Sequence, residues 1–250
     1  MSEARTGRPV GRPRDGATRP RVRAVLVGTA LAIAVVAALT ITAAGETTGA
    51  GTGPSPFGGP VGPCRVDDVL TPHRDPDDWA LTLLDPQFRL AADDVPPDVV
   101  ALGDARIAGE GSLREVVLDD LRAMTADAAA AGASFRITSA YRSHAQQART
   151  FESLVAVYGR DEALRAAARP GHSEHQLGTT IDVEGEEAWL AAEAWRYGFV
   201  VSYPSQHSPE TTCYKAEPWH LRYVGRGAAA DVRSSGLSLR AWLWARQLDR

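Results

Sequence analysis

The chain has 250 residues, 44% of them hydrophobic and 23% charged, the balance of a globular protein with room for one sizeable domain plus extensions. That balance excludes wholesale disorder and a multi-span membrane protein. The net charge of −4 divides unevenly: seven arginines against Glu3 and Asp15 give the first 23 residues +5, so the remainder carries −9, an acidic body that excludes general nucleic-acid binding.

The basic segment 1–23 runs directly into residues 24–44, AVLVGTALAIAVVAALTITAA, a stretch of 21 residues without a charge. At ~1.5 Å rise per residue it spans a hydrocarbon core of about 30 Å. Because the arginines precede it, the positive-inside rule puts the N-terminus in the cytoplasm and everything after Ala44 outside. A cleaved signal peptide is the competing reading, with Thr42-Ala43-Ala44 as a tolerable small-residue cleavage site. The rest of the chain is exported on either reading, so a membrane anchor or secretion is expected. Residues 45–63, dense in Gly, Pro, Ser and Thr, read as a flexible tether of about 25 Å r.m.s. reach. One folded domain, 64–250, should follow.

Both cysteines of the chain, Cys64 and Cys213, fall in the exported part, where oxidation is permitted. A disulfide between them is the favoured reading, and Cys213 as a metal ligand the alternative.

Within the domain, Leu113, Val116, Val117, Leu121 and Met124 recur at helical spacing behind a capping-box pair, Ser112 and Glu115. Alternation predicts a strand over 134–140, delivering Tyr141 and Arg142 to a loop. A second capping box, Ser143 with Gln146, opens a helix reaching about Gly159 with Phe151, Leu154, Val155 and Tyr158 on one face. Strands are expected at 179–183, 199–203 and 219–224. A helix is expected over 186–197 with Trp189, Ala192 and Trp195 or Arg196 inward, and a terminal helix over 227–250 docking on the domain. Short, mostly neighbouring strands mixed with helices predict an α+β fold, a small antiparallel sheet with flanking helices.

Two segments hold the chemistry: SEHQLGTTID from Ser173, and EPWH from Glu217. A catalytic zinc takes three imidazole or carboxylate ligands and keeps one position open. His175, Asp182 and His220 supply such a set, with Gly178 letting the chain turn between the first two. Pro218 disfavours the α region for Glu217, so the pair Glu217 and His220 sits at a turn or bulged strand start and is not the helical pairing of HExxH enzymes. Glu217 is near enough to take a proton from an attacking water and pass it to a leaving amine. On spacing alone the bland alternative stands beside this: a histidine near a strand is commonly packed or hydrogen-bonded, the reading given to His73, His144, His172 and His207, and Asp182 could be a turn or cap residue.

Tyr141-Arg142-Ser143 with Gln147, then SEHQLGTTIDV, YGFVVSYP and EPWHLRYVG, resemble the VanY-type D-alanyl-D-alanine carboxypeptidases, relatives of the VanX dipeptidases and of the hedgehog-type zinc fold. The resemblance runs from about Cys64 to Arg226. It implies zinc bound by His175, Asp182 and His220, Glu217 as catalytic base, and Arg142 steadying the scissile carbonyl or the substrate carboxylate. It also implies Ser173, Gln147 and Ser143 on the substrate, and Trp219 as packing behind the zinc loop. The implied activity is hydrolysis of a terminal D-alanine from peptidoglycan stem peptides; an L,D-carboxypeptidase, a D-Ala-D-Ala dipeptidase, an endopeptidase, and a non-catalytic zinc-containing wall-binding domain are the alternatives. Ser202 and the run Cys213-Tyr214-Lys215-Ala216 depart from the family pattern at the pocket wall and leave the zinc set complete.

Overall fold

A computed structural model describes residues 61–248. The basic segment 1–23, the apolar run 24–44 and most of the tether lie outside the described residues. Among the described residues no helix is long and apolar enough to cross a membrane.

The elements follow in the order β1 Val69–Leu70, β2 Phe88–Arg89, β3 Val99–Ala101, β4 Ser112–Arg114, α1 Glu115–Ala130, β5 Arg136–Ser139, α2 His144–Tyr158 and α3 Arg160–Ala166. Then come β6 Thr180–Glu184, α4 Glu187–Glu193, β7 Phe199–Tyr203, α5 Pro209–Thr212, β8 Glu217–Tyr223, α6 Arg226–Ser235 and α7 Leu239–Leu248. The central sheet has the order β5-β6-β8-β7, antiparallel throughout. The predicted α+β architecture with a small antiparallel sheet is therefore what forms, with two minor ladders beside it, β1-β2 parallel and β3-β4 antiparallel.

Strand alternation gives the sheet two functional faces. Ile137, Ile181, Val183, Phe199, Leu221 and Tyr223 point to one side, where they meet Val117, Leu121 and Met124 of α1 and Leu190, Ala194 and Tyr197 of the following segment. Asp182 pairs with His220 and Thr180 with Arg222 across β6 and β8, so these four share the opposite face. A second apolar cluster joins Leu83 and Val224 to Val232, Leu239, Trp242 and Leu243.

Several expectations are corrected. Ser112 lies in β4, paired with Ala101, so the Ser112–Glu115 capping box does not form and α1 starts at Glu115 behind an uncapped Arg114. Leu113 is buried from a strand, and Val116 faces solvent. The 186–197 helix is a short α-helix followed by a 3-10 turn at Ala194–Tyr197, and it buries Leu190, Ala194 and Tyr197 while Ala192 and Arg196 are exposed. The C-terminal region forms two helices, because Gly236 takes a left-handed conformation between them. The folded part begins earlier than Cys64: Gly62 is buried, and its carbonyl accepts from Arg240 Nη1 at 3.0 Å.

Candidate metal centre

The site is assembled where the sheet loses its regularity. β6 and β8 pair in register at Asp182 and His220, which puts a carboxylate and an imidazole side by side. The β5–β6 register shifts between Ile137 and Ser139, and the β7–β8 register shifts between Val201 and Tyr203. Such bulges re-aim side chains. The second one lets Glu217 and His220, three residues apart, reach a common cavity.

His175 arrives from the 3-10 turn Glu174–Leu177, and Gly178, at φ +71°, turns the chain from there into β6. An added Cβ at Gly178 would meet Arg114 Cγ at 2.9 Å, so the turn is closed on both conformational and steric grounds. The Arg142 amide donates to the His175 carbonyl at 3.1 Å, tying the loop after β5 to this turn.

His175, Asp182 and His220 offer ligand atoms that all lie within 4.8 Å of one another. His175 Nε2 is 3.2 Å from Asp182 Oδ2, and His220 Nδ1 is 3.2 Å from Asp182 Oδ1. The Oδ1 contact lacks hydrogen-bond geometry: that oxygen is buried without a hydrogen-bond partner. A buried carboxylate oxygen left unpaired beside two imidazoles fits a cation-binding role. The donor set, two nitrogens and one carboxylate, is the one a catalytic zinc takes. The His175 ring is also oriented for it, since Nδ1 lies 2.6 Å from the Ala140 carbonyl and leaves Nε2 facing Asp182.

A cavity of about 170 Å³ opens on this trio, lined also by Arg142, Gln147, Ser173, Tyr203, Tyr214 and Glu217. Glu217 Oε2 stands 3.6 Å from His220 Nδ1. Burial pushes the Glu217 carboxyl up to about 7, with Asp182 and Glu174 adding to the rise against His220 and Arg142. Burial alone would raise Asp182 too, but His175 and His220 beside it hold it well below the usual carboxylate range. Arg142 donates from Nη1 to Gln147 Oε1 at 2.8 Å and from Nη2 to Ser139 Oγ at 3.1 Å, and Gln147 is held in turn by the Ala168 carbonyl at 2.6 Å. Ser173 is buried at the cavity wall.

Ser143 is not brought to the cavity. Its hydroxyl accepts from the Gln146 amide at 3.3 Å and its own amide donates to Gln146 Oε1 at 2.8 Å, the capping box read from the sequence. The hydroxyl aims at the first turn of α2, and Ser143 is not among the residues lining the cavity. Cys64 and Cys213 are joined as a disulfide, which removes Cys213 from the candidate ligands. Trp219 lines the cavity and also packs on the main core, as a residue behind the zinc loop would.

Tyr203 and Glu174 were not singled out from the sequence as site residues, and Tyr214 was placed at the pocket wall only as part of a departing run. Tyr203 and Tyr214 are buried at the cavity, and the Tyr203 ring lies 5.0 Å from the His220 ring, centroid to centroid. Glu174, only 4% exposed, has Oε2 at 3.0 Å from His220 Nε2. Its signal was present, an acidic residue inside an otherwise apolar or ligand-bearing turn, but acidic residues in turns are too common to single out.

The family model described as "VanY: D-alanyl-D-alanine carboxypeptidase" matches residues 110–226. A Bacillus subtilis protein named as a candidate carboxypeptidase, YodJ, is 33% identical over 179 residues, covering 64% of this chain and 65% of that one. The chain thus spans somewhat under two thirds of the length of that relative. Among solved structures, the LD-carboxypeptidase LdcB superposes with TM-score 0.61 at 30% identity, covering 67% of this chain and 86% of the other. A variant of the D,D-pentapeptidase VanY from a VanB-type resistance cassette, in complex with Zn(II), gives 0.59 at 29% identity, covering 66% and 99%. The matched span contains every residue of the metal cluster, and the fold of the neighbours is the fold of this domain: the chain belongs to the VanY family.

Proposed function

We propose that the domain is a zinc-dependent D,D-carboxypeptidase that removes the terminal D-alanine from peptidoglycan stem peptides. The carrying observation is one cavity that gathers two imidazoles, an unpaired buried carboxylate oxygen, Glu217 and Arg142. The Zn(II) complex of the VanY neighbour supports the metal assignment. Zinc held by His175, Asp182 and His220 would supply Lewis acidity toward the scissile carbonyl and a lowered pKa for the attacking water.

The protein's own groups do the rest. Glu217, buried and poised near neutrality, takes the proton of the attacking water at a carboxylate oxygen and returns it to the nitrogen of the departing D-alanine. Arg142 presents a cation whose direction is fixed by Gln147 and Ser139, and this orients the substrate's C-terminal carboxylate or scissile carbonyl. Ser173 and the two tyrosines shape the wall against which the peptide lies.

The likeness to LdcB favours a second reading, L,D-carboxypeptidase activity on tetrapeptide stems. Purified full-length protein incubated with pentapeptide and tetrapeptide stems decides between them. D-alanine release from the pentapeptide, abolished by a chelator and restored by zinc, is expected; release from the tetrapeptide alone would overturn the D,D assignment.

We infer further that the domain works outside the cytoplasmic membrane, tethered by the apolar run 24–44. The arginine-rich start, the 21 uncharged residues and the Cys64–Cys213 disulfide support this. Protease added to intact cells should digest the domain; full protection would sink the inference.

A further inference from the structure

The two candidate imidazole ligands use different ring nitrogens. His175 turns Nε2 to the site, and His220 turns Nδ1. A ring nitrogen can bind a cation only when the proton sits on the other nitrogen, and that proton then needs an acceptor. For His175 the acceptor is a backbone carbonyl, that of Ala140. For His220 it is a carboxylate: Nε2 is 3.0 Å from Glu174 Oε2.

Glu174 is itself fixed by two further side chains. Ser202 Oγ donates to Oε2 at 2.6 Å, and Arg222 Nη1 donates to Oε1 at 3.0 Å. Arg222 has no exposed surface, and its Nη2 donates to the carbonyls of Trp79 and Thr82 at 2.8 Å each. Arg222 lies two residues beyond His220 on the same face of β8, so a column runs from the segment at 79–82 through Arg222 and Glu174 to the imidazole. The column ends at Nε2 of His220, the ring nitrogen opposite the one turned to Asp182.

We propose that Glu174 is a positioning residue for the metal centre: it holds His220 in the orientation and tautomer that present Nδ1 to the cation. The proposal rests on the reading of His220 as a metal ligand. A counter-ion for Arg222 would require only the Oε1 contact. The Oε2 contact to the imidazole is the part that serves the metal.

Glu174→Gln keeps the volume and an acceptor oxygen for Arg222, but its amide group can place N–H against Nε2 and favour the tautomer that occludes Nδ1. Zinc affinity measured by chelator competition on the full chain should fall by about 10–100-fold, and the visible bands of the Co(II)-substituted protein should change in position or intensity. A folded variant whose zinc affinity stays within about twofold of wild type, on a scale where such contacts are worth ~10-fold or more, overturns the proposal whatever its melting temperature. Should Glu174→Gln not fold, Glu174→Asp keeps the charge beside Arg222 and shortens the reach to His220. A drop of roughly tenfold in zinc affinity supports the proposal there, and unchanged affinity overturns it. A wild-type chain that binds no zinc would remove the metal reading itself, a failure visible before any variant is compared.

Discussion

Glu217 stands beside the candidate ligands without belonging to them, and this separates metal binding from proton transfer. Its carboxylate lies 3.6 Å from His220 Nδ1, and the trio is complete without it. Glu217→Gln should therefore lower D-alanine release by about 10²–10⁴-fold while the zinc content of the purified protein stays at the wild-type level. A matching loss of zinc would mean that Glu217 is a ligand. A second residue-scale consequence concerns His172, fully buried with Nδ1 at 2.7 Å from the Asp85 carbonyl and Nε2 at 3.1 Å from Asp68 Oδ1. Burial lowers its pKa below the ordinary 6.5, against the pull of these two partners. The folded state therefore disfavours the protonated ring, and the unfolded chain takes up the proton first as pH falls. The contribution of His172 to stability is full above pH 6.5 and declines as pH drops below that value. Melting temperatures measured across this range should fall less steeply with acid in His172→Gln than in the wild type. At this scale the metal set was legible because its residue types suit a zinc and the order of the motifs around them resembles a known family, whereas spacing alone left a packed or hydrogen-bonded reading open. Glu174 was not, because its role is visible only when β8 brings His220 and Arg222 to it.

At the scale of elements, local signals held where the chain had no better partner for the same atoms. Ser143 and Gln146 cap α2 as their spacing predicts. Ser112 and Glu115 carry the same signature, yet Ser112–Arg114 is drawn into a ladder with Val99–Ala101, and tertiary pairing replaces the local cap. The segment 186–197 shows another limit. Of the face expected inward, Trp189 and Trp195 do pack on the two apolar clusters while Ala192 is exposed, and the change from α-helix to 3-10 turn at Ala194 alters the angular spacing beyond that point, where Arg196 is exposed and Tyr197 buried. Gly178 is the position where element geometry and function meet most tightly. Its left-handed conformation joins the turn carrying His175 to the strand carrying Asp182, and its carbonyl accepts from the Arg114 amide at 2.9 Å. Gly178→Ala should cost about 1–3 kcal/mol from backbone strain alone, before the contact with Arg114 is relieved. In a domain of this size that corresponds to a melting temperature lower by ~2–4 °C per kcal/mol. Because relief moves His175 relative to Asp182, zinc retention through dialysis should also decrease; a variant that melts lower with unchanged zinc retention would show that the turn supports the fold alone.

Across the whole molecule, three distant parts of the sequence are stitched at one place away from the metal ligands. Arg240 of α7, buried, donates to Asp85 Oδ2 at 2.8 Å, to the Gly62 carbonyl at 3.0 Å and to the Thr211 carbonyl at 3.3 Å. The Cys64–Cys213 bond links two of the same regions across a separation of 149 residues. The chain-entropy account assigns a loop of that length about 5 kcal/mol at most, and loss of native disulfides costs about 2–5 kcal/mol. Since Arg240 holds the same junction independently, the reduced chain should still fold. Cys64→Ser with Cys213→Ser is therefore expected to lower the melting temperature by several degrees, ~2–4 °C for each kcal/mol lost, in scanning calorimetry without reductant. Zinc affinity should be preserved, because the ligands lie on β6, β8 and the Glu174–Leu177 turn. The peptide side of the site should respond differently: Tyr214 follows Cys213 directly and lines the cavity, so KM for the stem peptide should rise more than kcat falls. Adding reductant to the wild type should reproduce the thermal shift, and leave the double variant unchanged. A double variant with wild-type stability would mean that Arg240 and the α7 packing already fix the junction alone, whereas loss of zinc at low temperature would mean that the disulfide reaches the metal centre through β8.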